Sequence, residues 1–360
     1  DAGLILAKTF LRTDITSFYR NQQKIYWAGY KLFLEQLQQL NIDGIENYIN
    51  KRKSFYINEP VGKLYKNPNN SKSFFILFIY LYRTFSRLIS NVIYNKQWQI
   101  FIGNQTIQSY KNNPQNFNTL KPSKDRIWAD PFLAKSEGKY FLFFEEKLNR
   151  KKNAHISCLE LNDKGNPIDN IPKKVLEENY HLSYPFIFNH DNCHYMIPES
   201  AEAHSVILYK SVTFPNQWQK VKTLLEGQSF YDTTLHQHTD GIWYLFCTVK
   251  PDSRFSSDAY LHIYYSSSLD DTFIAHPKNP IYSDVRISRP AGSLFINESN
   301  LIRPAQISAP HYGSGIVFFK ILTLSPTDFK EEKISELMPN PGYQATHTRN
   351  QLDNLFVLDA

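Results

Sequence analysis

The sequence predicts a mostly β protein: a five-bladed β-propeller over residues 97–360, preceded by a small α/β segment (1–50) and a helical linker (51–96). Three observations predict it. A short motif recurs five times at intervals near fifty residues. Each copy opens a strand, a polar turn and a second, aromatic-rich strand. The 23 Tyr and 26 Phe suit a pleated surface better than a helix.

At the front, Leu4-Ile5-Leu6-Ala7 reads as a buried strand. Asp14 to Ser17 offer N-caps for a long helix in which Phe18, Ile25, Leu32, Leu37 and Leu40 recur near helical spacing. Asn41 to Gly44 end it, and a short second helix follows.

In the linker, Lys51-Arg52-Lys53, Pro60 and Asn67-Pro68-Asn69-Asn70 read as breakers and solvated charge. The run Phe74 to Tyr82 is short of the ~20 apolar residues that span a bilayer. Arg83 and Arg87 follow it, then Leu88, Ile89, Val92 and Ile93. Two readings fit residues 72–96: an interfacial helix in peripheral contact with an anionic membrane, or a helix packed on a flanking domain. The packed helix is favoured, because no residue pattern shows the apolar face to be exposed.

The repeat begins at Ala129-Asp130-Pro131-Phe132-Leu133 and returns at Ser183-Tyr184-Pro185-Phe186-Ile187 and Tyr231-Asp232-Thr233-Thr234-Leu235. Ser288-Arg289-Pro290-Ala291-Gly292 and Thr346-His347-Thr348-Arg349 complete it, with anchors 54, 48, 57 and 58 residues apart. Third strands follow at Ala154–Cys158, Val206–Tyr209, Leu261–Tyr265 and Ile316–Phe319. The fifth repeat stops after two strands. Closing the ring therefore calls for Trp98-Gln99-Ile100-Phe101-Ile102 to complete the last blade.

In a blade, the start of the first strand and the end of the second meet at one mouth of the channel. That pairs Asp130 with Glu145 and Glu146, Tyr184 with Glu199, Asp232 with Thr248, Arg289 with Arg303 and His347 with Asp359. The offset is 15 residues in each of the first two. Trp128 and Tyr231 would supply sugar-stacking rings. Convergent polar groups in a cleft mark a site. Asp130, Glu199 and Asp232 are the trio that glycoside chemistry would use. Alternatively the acids bind sugar hydroxyls or neutralise the arginines, and an arginine beside a carboxylate makes it a poor general acid. That favours binding.

Residues 1–120 hold 15 Lys and Arg against 6 Asp and Glu, whereas the rest hold 25 against 28. This diffuse basic front implies no nucleic-acid partner. Cys158, Cys193 and Cys247 lie far apart, as reduced thiols in a cytosolic setting would. There is no glycine-rich phosphate loop, no cofactor is implied, and His236 and His238 lack an evident third metal ligand.

The motifs W-A-D-P-F, F-F-E-E, H-L-S-Y-P-F, P-E-S, D-T-T-L, S-R-P-A-G, R-P-A-Q and T-H-T resemble the N-terminal propeller domain of glucosamine inositolphosphorylceramide transferases and its bacterial relatives. That domain is similar in architecture to the five-bladed furanosidases, arabinanases and levansucrases among them. This resemblance implies a base or nucleophile at Asp130 and an acid at Glu199. In the plant transferases the transferase proper looks like a separate domain. Asp1-Ala2-Gly3-Leu4-Ile5-Leu6, with a long helix ending Leu37-Gln38-Gln39-Leu40, resembles the end of the formyltransferase catalytic domain of methionyl-tRNA and sugar N-formyltransferases. It implies that Asp1 is the catalytic aspartate of a fragment lacking the upstream Asn and His, unable to bind folate or transfer formyl.

The expectation is a propeller that handles a glycan, glycolipid or nucleotide-sugar in polysaccharide or glycolipid assembly, joined to a formyltransferase-like module. A glycoside hydrolase or transglycosidase and a non-catalytic scaffold stand as alternatives, and whether the chain is an enzyme stays open.

Overall fold

A strand exposes alternate side chains to opposite faces, and a blade buries both faces against its neighbours. In the computed structural model, which describes residues 5–56, 68–93, 97–103, 117–339 and 342–360, this happens five times over. Two units divide the chain, residues 1–96 and 97–360.

Unit 1 holds three helices, α1 (Phe18–Asp43), α2 (Ile45–Tyr56) and α3 (Asn70–Ile93). Ser17 caps α1, its hydroxyl accepting from Arg20 N at 3.2 Å. Gly44 ends it at φ 73°, its N–H donating to Leu40 O at 3.0 Å. Tyr48 of α2 packs back on α1, its hydroxyl donating to Gln36 Oε1 at 3.0 Å. Two expectations need correction. Residues 5–9 form no strand, for among the described residues of unit 1 there is no sheet to pair with. Lys51-Arg52-Lys53 continue α2 instead of breaking it, since lysine and arginine are good helix formers. Asp1, on which the formyltransferase-like reading rests, lies outside the described residues, as do Pro60 and Asn67.

Unit 2 starts with β1 (Ile100–Gly103) and β2 (Asn118–Leu120). Blade 1 is β3 (Arg126–Ser136), β4 (Lys139–Leu148), β5 (His155–Leu161) and β6 (Lys173–Leu176). Blade 2 is β7 (Ser183–His190), β8 (Cys193–Glu199), β9 (Ser205–Thr213) and β10 (Gln217–Glu226). Blade 3 is β11 (Ser229–Gln237), β12 (Trp243–Lys250) and β13 (Tyr260–Ser266), edged by β14 (Ile274–Ala275) and β15 (Tyr282–Ser283). Blade 4 is β16 (Phe295–Asn297), β17 (Asn300–Ile307), β18 (Gly315–Leu324) and β19 (Phe329–Leu337). Blade 5 has two strands from the end of the chain, β20 (Arg349–Leu352) and β21 (Leu355–Asp359), and two from the start of the unit, in the order β20-β21-β1-β2. Ile100 pairs with Asp359 and Gly103 with Phe356, so the expected donor does close the ring, and β2 adds a fourth strand.

The seams between blades are apolar. On β4, Phe141 and Phe143 face the cluster shared with blade 2, while Leu142 and Phe144 face the one shared with blade 5. Tyr244 and Phe246 join blade 3 to Phe329 of blade 4, and Ile302 and Phe318 join blade 4 to Phe356 of blade 5. Each such buried side chain contributes about 1.5–3 kcal/mol.

The repeated motif builds one local structure in blades 1 to 3. Ala129 pairs with Glu145 and Phe132 with Phe143, so Asp130 and Pro131 together oppose one residue of β4. The same bulge falls at Tyr184-Pro185 and Asp232-Thr233. Asp130, Tyr184 and Asp232 take left-handed φ of 52°, 43° and 50°. Non-glycine residues resist that region, so the surrounding contacts must hold each anchor there. In blade 4 the anchor pairs only through a bridge from Pro290 to Ala305, and the inner strand starts later, at Phe295. Gly292 is the reason: at φ 122° it passes so close to blade 5 that a Cβ would lie 1.9 Å from Arg349 O.

Candidate functional site

The five anchors come together at one mouth of the ring, and backbone-to-carboxylate bonds tie blade to blade. Asp130 N donates to Asp359 Oδ2 at 3.1 Å, Tyr184 N to Asp130 Oδ2 at 3.2 Å, and Asp232 N to Glu199 Oε2 at 3.3 Å. The bulges turn these N–H groups out of the strand ladder and towards acids of the preceding blade.

Two cations serve the mouth. Arg289 donates through Nε to Asp232 Oδ2 at 2.5 Å, through Nη2 to Asp232 Oδ1 at 3.1 Å and Glu199 Oε2 at 3.3 Å, and through Nη1 to Asp258 Oδ1 at 3.1 Å. Its guanidinium lies between the rings of Tyr231 and Tyr312, 5.2 and 5.3 Å from their centroids. His347 sits between two acids, with Nδ1 2.7 Å from Asp359 Oδ2 and Nε2 3.4 Å from Asp130 Oδ1. Burial opposes its charge, but Asp359 and Asp130 outweigh it and raise its pKa to about 9. Trp98 and Tyr312 cover the imidazole at 4.4 and 4.9 Å between ring centroids.

Asp130, Glu199, Asp232, Asp258 and Asp359 share these two cations and Glu145 adds a further acid, so acids are in excess. Burial pushes Asp130 up to about 6, with His347 opposing and Asp232 and Asp359 adding to the rise. Burial and then Asp130 push Glu145 up to about 8. Burial and Asp232 hold Glu199 well above the usual carboxylate range, although Arg289 opposes them. Asp232 accepts from both Arg289 and Gln306, the Gln306 Nε2 bond being 2.5 Å. Glu199, raised in pKa, therefore lies beside an acid that Arg289 and Gln306 bind, a contrast that acid–base chemistry and sugar-hydroxyl binding can both use. Asp130, His347 and Asp359 place ligand atoms within 4.8 Å of one another, close enough for a metal ion. The raised pKa of His347 puts a proton where that ion would bind. His236 and His238 have ring centroids 5.8 Å apart, burial lowers His236 to about 4, and no third ligand joins them among the described residues.

Of the residues singled out from sequence, the mouth gathers Asp130, Glu145, Glu199, Asp232, Tyr231, Arg289 and His347. Tyr184 is there as a buried strut, its hydroxyl 2.8 Å from Thr234 Oγ1 and accepting from Gly292 N at 2.7 Å. Three residues stand elsewhere. Glu146 points to the opposite face from Glu145, because neighbours on a strand alternate. There it accepts from Arg126 Nη1 at 2.9 Å, Trp128 Nε1 at 3.1 Å and Ser157 Oγ at 2.7 Å, with His155 Nε2 at 3.2 Å. Burial alone would raise its pKa, but these bonds bring it down to about 2. Trp128 is therefore no exposed platform: it is buried, hydrogen-bonded to Glu146 and packed on Phe144 at 5.0 Å. Arg303 lies on the face of blade 4 towards Tyr282 of blade 3 and donates to Glu331 through Nε at 2.8 Å and Nη2 at 2.5 Å. The second strand of blade 4 reaches its anchor three residues later, where Gln306 N donates to Arg289 O at 2.7 Å.

Sequence reasoning missed Asp258, Gln306, Tyr312 and Thr348 Oγ1, which donates to Asp130 Oδ1 at 2.6 Å. Asp258 and Tyr312 come from loops outside the repeat and carry no periodic signal. Gln306 closes the R-P-A-Q motif, and its place beyond Arg303 was the available clue.

Residues 90–351 match the family described as glucosamine inositolphosphorylceramide transferase 1, N-terminal. The transferase of that name from Oryza sativa subsp. japonica is 35% identical over 209 residues, covering 58% of this chain and 28% of the relative. The Arabidopsis thaliana protein is 34% identical over 208 residues, 57% of this chain and 27% of the relative. The chain thus spans little more than a quarter of the relatives it matches. A family 117 glycoside hydrolase from Zobellia galactanivorans superposes with a TM-score of 0.47 at 11% identity, covering 65% of this chain and 84% of that one. A likeness at that level says nothing about activity. The sequence match takes in every anchor of the ring, and this chain belongs to the glucosamine inositolphosphorylceramide transferase 1 N-terminal family.

Proposed function

We propose that the mouth of the propeller binds a sugar unit of a glycan or glycolipid during its assembly. The observation that carries this is Arg289, held by three acids between two tyrosine rings in a mouth where acids exceed cations. Such a surface offers hydroxyl acceptors, protonated carboxyl donors and ring faces, the groups that recognise a pyranose or furanose. With its guanidinium already bound by Asp232, Glu199 and Asp258, Arg289 leaves little to attract a diphosphate. A nucleotide-sugar would accordingly enter sugar first. The relatives are named as transferases for glucosamine and inositolphosphorylceramide, which supports the sugar and glycolipid class. The test is a glycan array followed by calorimetry on its hits. Arg289→Gln is expected to weaken binding by at least about tenfold. An array without signal above background ends this reading.

A second reading is glycoside hydrolysis or transglycosylation. It is favoured by the contrast between Glu199, whose pKa burial and Asp232 raise well above the usual carboxylate range, and Asp232, which accepts two hydrogen bonds from Arg289. Here Glu199 would donate the proton and Asp130 would act as base or nucleophile. Asp130→Asn is expected to abolish release from an arylglycoside panel. If the intact chain releases nothing, this reading goes while the binding reading remains.

A further inference from the structure

Helix α3 runs for 24 residues, about 36 Å, and bears its apolar residues on the outside. Phe74, Phe78, Leu81, Phe85 and Leu88 form one line along it and are 60–72% exposed. Phe75, Leu77 and Tyr82, beside that line, are also more than half exposed. The face is therefore wider than the two-position seam of a coiled coil, and apolar residues occupy the flanks where a coiled coil puts the charges that choose its partner. The charged residues of α3 are Lys72, Arg83 and Arg87, with no Asp or Glu. Arg83 follows Phe74 by nine residues, two and a half turns, and so lies on the opposite side. Two such helices joined through this face would gain no ion pairs. No helix among the described residues is long and apolar enough to cross a membrane.

A wide aromatic and aliphatic face on a helix that carries cations and no acids fits the boundary of a bilayer with anionic headgroups. We propose that α3 lies in the plane of such a membrane, its Phe74–Leu88 line among the acyl chains and Arg83 among the headgroups. This does not depend on the sugar-binding reading of the propeller. Within unit 1 the whole apolar line stays exposed, and this favours the membrane over the packed helix that the sequence suggests.

The test is sedimentation of the intact chain with vesicles of phosphatidylcholine, with and without phosphatidylserine. Partition is expected to be at least about tenfold stronger with phosphatidylserine and to weaken with salt. Phe78→Glu with Phe85→Glu should abolish it without changing the circular dichroism, both positions being on the surface. Arg83→Gln with Arg87→Gln should remove about tenfold of the preference for phosphatidylserine. Phe78→Trp should keep binding, with fluorescence quenched by brominated lipid. Three results would overturn the proposal: a chain that stays in the supernatant with both vesicles, a double glutamate variant that still binds, or an unquenched Phe78→Trp. Light scattering that shows a dimer dissolved by the glutamate variant would assign the face to a second copy of the chain instead.

Discussion

Glu145 and Glu146 are neighbours on β4, yet they belong to two regions with opposite electrostatics. Glu145 faces the mouth, where its Oε1 lies 3.4 Å from His181 Nε2. His181 is itself pushed towards neutrality by burial. Glu146 faces the seam with blade 5, where Arg126, Trp128, His155 and Ser157 surround it. One side chain is held protonated and the other charged, although both are buried on the same strand. The difference teaches that the supply of donors, more than depth, sets the state of a buried acid. A saturated carboxylate serves the fold, and one short of donors is ready for a ligand.

The largest expected effect comes from breaking the saturated side. Glu146→Gln leaves buried donors facing an amide, and urea unfolding at pH 7 should show a loss of about 2–4 kcal/mol. A loss under about 0.5 kcal/mol would mean that the network adds nothing to stability. The comparison sharpens with pH. Because the folded pKa of Glu146 is depressed, its contribution is present above its ordinary 4.5 and is lost as pH falls through about 2. Because that of Glu145 is raised, its cost is absent below 4.5 and grows as pH climbs to about 8. Glu145→Gln should therefore match the wild type near pH 4 and melt about 5–10 °C higher at pH 8. Equal melting temperatures at pH 8 would contradict the raised pKa. The smallest effect is that of Trp128→Phe, which removes one hydrogen bond to Glu146 at a cost of about 1–2 kcal/mol. Glycan affinity should not move. A tenfold drop would return Trp128 to the role of a stacking platform.

Most of the ring was legible in the sequence, for a physical reason. Strand starts, bulges and aromatic second strands repeat because every blade solves the same packing problem, so Asp130, Tyr184, Asp232, Arg289 and His347 announce themselves by period. The missing half of blade 5 could be counted, and Ile100–Ile102 was available to fill it. The site was less legible. Placing Glu145 and Glu146 together ignored the two-residue alternation that separates them. Pairing Arg289 with Arg303 took the start of the fourth second strand for its end, so that Gln306 went unseen. Asp258 and Tyr312 arrive from loops whose course only the folded chain reveals. In unit 1 the Ser17 cap and the Gly44 stop were readable because capping is local chemistry. Whether α3 shows its phenylalanines to solvent was not, since exposure depends on what lies beside a helix.

Blade 5 has one more consequence. Gln99 and Ala360 exchange two backbone hydrogen bonds, each 3.0 Å, so the ring's entrance and exit touch. Polypeptide joined upstream and polypeptide joined downstream must leave from the same spot, like two cords from one socket. Tension between them falls first on the β1–β21 pairing and reaches the other four wedges only afterwards. The ring is thus a clasp that keeps its own two chain ends side by side.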